Sequence, residues 1–449
     1  MSLILTGGGL CPAEPTGPFN TTPTPSPWFE LDAFQETLTR DEFERKLTEI
    51  FDPYGGMEKY MEVDQNRAIF YPTETRDTLP EFELRFAPSK AERRDAPRRF
   101  RTPYEIRNRP KPPSKPLQGL RVALDPGHIG GDWARMEHRS VRYRGKGPVQ
   151  EGDHVLLAAK ILRGQLEELG AEVFLVREDA TPVTPYRPED FTDQAREILY
   201  ERNPSLREKY QGLPVEEQNK KLGYRLQRLS EILFFRGSEI EERGRKISTE
   251  FNPDVTISMH FNATANSGRG RLVNLNRHIF FVHGAYTAGE VDSPNQRLRL
   301  LYKILENPTP VEVEVASAIA DAFAEMTGFP SVLYGNSANT REVRSGYKRV
   351  VARNLAANRL YDGPVVFSEP YLMNQRHTYQ RLLAGDYEGL KKFSGQEFPS
   401  IYQEYADGIT NGLLDVYAPR SYRRPESKPL ESVEPEKETE ATASPDQAL

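Results

Sequence analysis

The run LRVALDPGH at 120–128 constrains the fold more than any other stretch, because an apolar strand there ends in a Pro-Gly turn. A helix pattern follows, GDHVLLAAKILRGQLEELG at 152–170, with apolar residues at helical spacing and a closing Gly170. Next comes AEVFLV at 171–176, a second apolar strand. Strand, loop, helix, strand is a βαβ unit, and its crossover implies parallel pairing. Further strands are expected at DVTISM (254–259), HIFFVH (278–283) and PVVFSE (364–369), with helices at 311–328 and 401–417. The expected class is α/β, a mostly parallel sheet flanked by helices, with long insertions and a small N-terminal α+β module.

The sheet domain spans 119–420 and is interrupted at about 180–242, 284–310 and 329–350. The first insertion is charged and reads as helical. Elements this long beside strand ends shape or cover a site. Residues 1–27, rich in Gly, Pro and Thr, are expected to be disordered. The module at 28–87, of unknown role, combines a helical LTRDEFERKLTEIF with a strand region MEVDQNRAIFYPT. Residues 88–118 hold ten Lys or Arg against three acids, interleaved with Pro, and read as a stiff basic linker. Such a strip is either a solvated tether or a surface that attracts an anionic polymer. The acidic residues 421–449 read as a disordered tail.

A net charge of -6 and a pI near 5.9 argue against a nucleic-acid-binding protein, which needs a cationic excess. No stretch approaches the roughly 20 apolar residues of a transmembrane helix, so no membrane-spanning segment is expected. The single cysteine, Cys11, allows no internal disulfide and no Cys-based zinc site. A metal would have to use His and carboxylates.

Two histidines stand where such a site would form. His128 follows the strand at 120–125 and His260 follows the one at 254–259. In a parallel sheet both reach the carboxyl rim, where open α/β sheets place their ligands. Either alone is more often structural; the pair favours a site. Glu151 precedes the 152–170 helix and projects toward the same rim, although a helix start also favours Glu through the macrodipole. Glu369 closes the strand PVVFSE and reaches the rim as well, where a lone Glu is commonly a surface residue.

Taken in order, LDPGHIGGD, QEGDHVLLAAKIL, EVFLVRED, ERGRKISTEFNPDVTISMHFNA, VVFSEPYLMNQ and IYQEYADGITNGLLDVY resemble the zinc-dependent N-acetylmuramoyl-L-alanine amidases of the amidase 3 type. The resemblance covers about 119–418, with gaps. It implies that His128, Glu151 and His260 hold Zn²⁺, that Glu369 is the catalytic carboxylate, and that the substrate is the muramoyl–L-alanine amide of peptidoglycan. Asp125 and Asn262 match the motifs as residues behind the ligands, or as partners of loop backbone. Arg177 and Arg243 match recurring positions and read as structural ion-pair partners. Two departures stand out. Ile129 occupies the place after the histidine where members usually carry Gly. The insert between Arg177 and His260 is long enough to act as a lid, as an inserted helix does in some members, and an activator protein relieving it is then an expected partner.

The remaining histidines, His138, His154, His278, His283 and His377, read first as packing or surface residues; His283 alone ends an apolar strand and is a candidate to line the cleft. Other classes stay open: another zinc amide hydrolase or peptidase acting on wall peptides, or a non-catalytic wall-binding regulator. A wall substrate implies a periplasmic or extracellular location in the cell envelope. The opening MSLILTGGGLCPAEP has neither the basic start nor the long apolar run of a secretory signal.

Overall fold

The computed structural model describes residues 27–263, 272–331 and 339–422. The expected disorder at 1–27 and 421–449 falls almost wholly outside them. The chain divides into two compact units, one containing Pro185–Ser238 and the other Trp28–Thr184 with Glu239 onward.

The larger unit begins with a three-stranded antiparallel sheet, β1 (Met61–Val63), β2 (Arg67–Phe70) and β3 (Phe82–Arg85). Ahead of it lies α1 (Arg40–Lys46), started by a capping box in which Thr39 and Glu42 satisfy each other's backbone N–H groups. Trp28, Phe43, Phe70 and Phe86 form an aromatic core here. Tyr286, Leu300, Leu301 and Ile304 complete it. The interruption at 284–310 thus supplies the apolar surface that covers the N-terminal module, and the two share one core.

The central sheet has seven strands. In chain order they are β4 (Arg121–Pro126), β7 (Glu172–Leu175), β8 (Val255–Met259), β9 (Ile279–Val282), β10 (Arg341–Glu342), β11 (Val350–Ala352) and β12 (Val365–Glu369), while β5 (Ser140–Tyr143) and β6 (Lys146–Gln150) form a separate hairpin. Their order across the sheet is β10-β11-β9-β12-β8-β4-β7. β7, β4, β8 and β12 are mutually parallel; β9 pairs antiparallel with β12 and parallel with β11. The sheet is therefore mixed and mostly parallel. All five residues of β8 are buried, as a strand covered on both faces requires.

Three long helices pack on this sheet, α2 (Glu151–Glu168), α3 (Thr309–Thr327) and α4 (Ile401–Tyr417). α3 and α4 approach so closely that a Cβ at Gly412 would stand 2.5 Å from the Ile319 Cα. No larger residue fits there without separating the helices.

The basic stretch at 88–118 divides in two. Residues 90–99 are exposed throughout. From Phe100 onward the chain is docked: Phe100 and Ile106 enter the main core, Arg101 pairs with the buried Asp254 at 2.6 Å, and Lys111 donates to the Tyr417 carbonyl at 2.9 Å. The smaller unit is helical, with helices Thr192–Arg202, Pro204–Tyr210, Val215–Leu222 and Tyr224–Ile232 around Ala195, Tyr200, Leu222, Leu226 and Leu229. No helix among the described residues is long and apolar enough to cross a membrane.

Candidate metal centre

Strand register decides which side chains meet. β4 and β8 pair with Pro126 opposite Met259, and β8 and β12 pair with Ser368 opposite Met259. The residues just beyond, Gly127–His128, His260 and Glu369, therefore emerge side by side from one carboxyl edge. A Cβ on Gly127 would collide with the His260 ring, so only glycine lets the imidazole lie over this turn.

Glu151, the first residue of α2, enters between the two histidines. Its Oε1 lies 3.1 Å from His260 Nδ1 and accepts from the Phe261 N–H at 3.1 Å. Its Oε2 lies 3.4 Å from His128 Nε2 and has no hydrogen-bond partner, although it is buried. One ligand atom from each of His128, Glu151 and His260 falls within 4.8 Å of the others. Burial alone would raise Glu151, yet His128, His260 and Arg139 hold its carboxyl down at about 2. His128 is lowered well below its ordinary value, chiefly by burial. A neutral imidazole and an ionised carboxylate are the forms that ligate a metal. The His128 and His260 side chains keep 17% and 12% of their surface exposed against 2% for Glu151, so the cluster opens to solvent past the imidazoles.

The loop carrying His128 is held unusually firmly. His128 has φ +59°, a left-handed conformation that costs a non-glycine residue free energy unless its surroundings enforce it. Arg243 donates to the His128 carbonyl at 2.8 Å and the Pro126 carbonyl at 2.8 Å, and pairs with Asp125 and Glu239 at 2.9 and 2.8 Å. Arg177 donates to the carbonyls of Pro126 (3.0 Å), Gly127 (3.3 Å) and Gly152 (2.6 Å), tying this loop to the start of α2. Arg243 thus makes ion pairs, whereas Arg177 acts on backbone carbonyls. Asp125 accepts from Ser258 (3.0 Å) and Tyr361 (2.9 Å); burial opposes its charge, but Arg243 keeps it below the usual range. The Asn262 side chain accepts from the Ala263 N–H at 2.7 Å, which makes it a loop-backbone partner.

Glu369 is not one of the three, but His260 and Glu151 both act on its charge. It is partly exposed, but protein crowding pushes its carboxyl up to about 7, beyond what His260, Arg139 and Arg353 offset. Phe367, two residues earlier, stacks on the His260 ring with centroids 4.1 Å apart.

Two further residues complete the arrangement: Glu137 lies outside every motif, and Tyr405 falls within IYQEYADGITNGLLDVY without being singled out there. Glu137 is buried, accepts from the Ile129 N–H at 3.0 Å and the Gly130 N–H at 3.4 Å, and lies 3.3 Å from His128 Nδ1. Tyr405 of α4 brings its hydroxyl within 3.1 Å of the His260 N–H, 3.0 Å of the His260 carbonyl and 3.1 Å of the Ser368 carbonyl, joining the ends of β8 and β12. The other histidines lie elsewhere: His154 meets the Tyr402 hydroxyl at 2.6 Å, His283 is buried against Tyr286 at 3.0 Å, and His377 sits between Phe393 and Phe398. Burial lowers His154 to about 4. His283 does not line the cleft, being fully buried.

No protein-family model matches the sequence, and no curated protein matches it. Among solved structures, the chain is similar to the N-acetylmuramyl-L-alanine amidase Ami1 from Mycobacterium smegmatis, at 15% identity over 67% of this chain and 97% of that one, TM-score 0.36. It is similar to the CwlD amidase from Clostridioides difficile, solved with the GerS lipoprotein, at 15% identity, 66% and 98% coverage, TM-score 0.35. The catalytic domain of the amidase CwlV from Bacillus (Paenibacillus) polymyxa var. colistinus matches at 14% identity, 66% and 97% coverage, TM-score 0.33. Likenesses this loose decide neither family nor activity, and the functional reading rests on the site's own residues and on the ordered motifs of the sequence.

Proposed function

We propose that this protein holds zinc with His128, Glu151 and His260 and hydrolyses the amide between N-acetylmuramic acid and L-alanine in peptidoglycan. The observation that carries the chemistry is the convergence of two imidazoles and a carboxylate within 4.8 Å, with a buried Glu151 oxygen left without a hydrogen bond. Two His and one Glu, open on one side, are the donor set of a catalytic zinc site. When bound, the ion supplies Lewis acidity, which lowers the pKa of water and polarises a carbonyl.

The chain's own residues do the rest. Glu369, held near 7, is poised to act as both base and acid at neutral pH. Its carboxylate takes a proton from the water that attacks the lactyl carbonyl carbon. As the carbon–nitrogen bond breaks, it passes that proton to the departing alanine nitrogen. Glu137, through His128 Nδ1, fixes the ring so that Nε2 faces the cluster. The substrate class follows from the ordered motifs alone, and a location in the cell envelope follows from the substrate. The reading of the insert as a lid, and of an activator protein as its release, belongs to the same proposal.

The test is mass spectrometry of purified peptidoglycan after incubation with zinc-loaded protein. Stem peptides with a new L-alanine amine, together with glycan chains stripped of peptide, are expected. Cuts within the stem peptide would instead establish a peptidase. Binding without any cleavage, by the full chain and by a variant lacking about 184–240, would leave a wall-binding regulator. Faster release by the shortened variant than by the full chain is the outcome the lid requires.

A further inference from the structure

The N-terminal region carries a concavity for which amide hydrolysis has no use. A pocket of about 400 Å³ is lined by Lys46, Lys90, Arg93 and Arg94 against Glu42 and Asp95, together with the buried Leu38 and Leu305. Four cations meet two carboxylates there, an excess of two positive charges. One of those carboxylates is already committed, and Arg93 with it: Glu42 Oε2 accepts from the Thr39 N–H and hydroxyl at 3.0 and 3.1 Å, and Oε1 takes Arg93 at 2.7 Å, which leaves Lys46, Lys90 and Arg94 against Asp95. Lys90 and Arg94 are exposed and make no ion pair among the described residues.

Lys46 lies in this hollow with most of its donors unused. Its ammonium carries three donors, yet among the described residues the one acceptor it meets is the Ile304 carbonyl at 3.3 Å. Burial lowers it to about 8; Glu42 offsets part of this, while Arg45 and Arg93 add to it. Ile304 lies in the last turn of the helix Pro294–Glu306, and capping its carbonyl explains why a lysine stands at 46. It does not explain why three more cations converge on the same hollow.

We propose that this pocket is a binding site for one phosphate group, held by Lys46, Lys90, Arg93 and Arg94. A tetrahedral oxyanion presents acceptors in several directions at once, which suits ammonium and guanidinium donors from separate elements better than a planar carboxylate does. A hollow larger than a phosphate, with Leu38 and Leu305 in its lining, leaves room for an ester substituent. Free phosphate and the phosphodiester of an anionic polymer share this chemistry, and the experiment separates them. The pocket shares no residue with the metal centre, so its test in metal-free protein is independent of the amidase reading.

Calorimetric titration of the metal-free full chain with inorganic phosphate should give saturable one-site binding. The double reversal Lys90→Glu/Arg94→Glu, at two exposed positions, should weaken it about tenfold or more, as losing charge-assisted contacts does. Lys46→Met should act in the same direction, while Lys220→Glu, an exposed reversal in the smaller unit, should leave it unchanged. Stronger binding of poly(glycerol phosphate) than of phosphate, at equal phosphorus, assigns the site to a polymer; the reverse order assigns it to a free phosphate. Either result supports the site. Non-saturable binding, equal weakening by Lys220→Glu, or polyglutamate binding as tightly as the phosphate polymer would overturn it.

Discussion

The top of α2 and the end of β12 each bring one carboxylate to the same rim, and the protein shifts the two in opposite directions. Glu151 is wedged between two imidazoles and stays ionised, down at about 2 despite its burial. Glu369 has no such partners within bonding distance, and crowding pushes it up to about 7. Two carboxyls whose surroundings drive them apart are suited to two jobs, one a permanent anion and the other a proton carrier. Substitutions that remove each charge separately should break this contrast in different ways.

The largest effect is expected from Glu151→Gln, which keeps the shape but removes the anion between the imidazoles. Losing a residue that merely supports a ligand costs about 10–100-fold in metal affinity, so a direct ligand should cost more. Zinc content after dialysis, read by elemental analysis, should fall to background and turnover should go with it. Glu369→Gln should instead retain zinc and lose turnover by about 10²–10⁴-fold, the range of general acid–base catalysis. A Glu369→Gln enzyme that still cleaved at full rate would remove the carboxylate from the mechanism. Equal zinc loss in both variants would erase the distinction between them.

Glu137→Gln sharpens the comparison at a smaller scale. The carboxylate that faces His128 Nδ1 at 3.3 Å becomes an amide that can orient either way. Chelator competition should show zinc affinity about 10–100-fold weaker, and the visible spectrum of the cobalt-substituted protein should shift. Unchanged affinity would mean that Glu137 serves only the Ile129 and Gly130 N–H groups.

What sequence could deliver here follows from the kind of interaction involved. His128, His260 and Glu369 were legible because strand ends in a parallel sheet share an edge, and apolar runs mark those strands. Glu151 was legible as a helix start, though not that its two oxygens would divide between two histidines. Glu137 and Tyr405 left no sign: one lies in an irregular loop, the other on an amphipathic helix where any aromatic reads as core. The antiparallel placement of β9 was equally hidden, since its apolar run carries no direction. The shared core of the N-terminal module and residues 284–310 depends on contacts more than 200 positions apart, for which local pattern has no signature.

A third carboxylate shows what a raised value does not prove. Glu312 of α3 is also pushed up to about 7, by burial first, although Lys303 and the N–H groups of Val365 and His283 oppose it. Unlike Glu369 it is fully buried, and it accepts from those N–H groups at 3.0 and 3.4 Å, joining the start of β12 to the end of β9. No substrate reaches it, so its protonation belongs to stability alone. With the folded value raised, Glu312 contributes most below the ordinary carboxyl range of about 4.5 and loses that contribution as pH rises toward about 7. Glu312→Gln, neutral at every pH although it offers one acceptor oxygen to those two N–H groups, should therefore gain relative to the wild type between pH 5 and 8. The gain should be on the order of 1–3 kcal/mol in urea unfolding of metal-free protein. Glu369→Gln, at a position with some access to water, should show a smaller drift over the same window. Parallel curves for the wild type and Glu312→Gln would mean that Lys303 fully compensates the buried charge, leaving Glu312 ionised as Glu151 is.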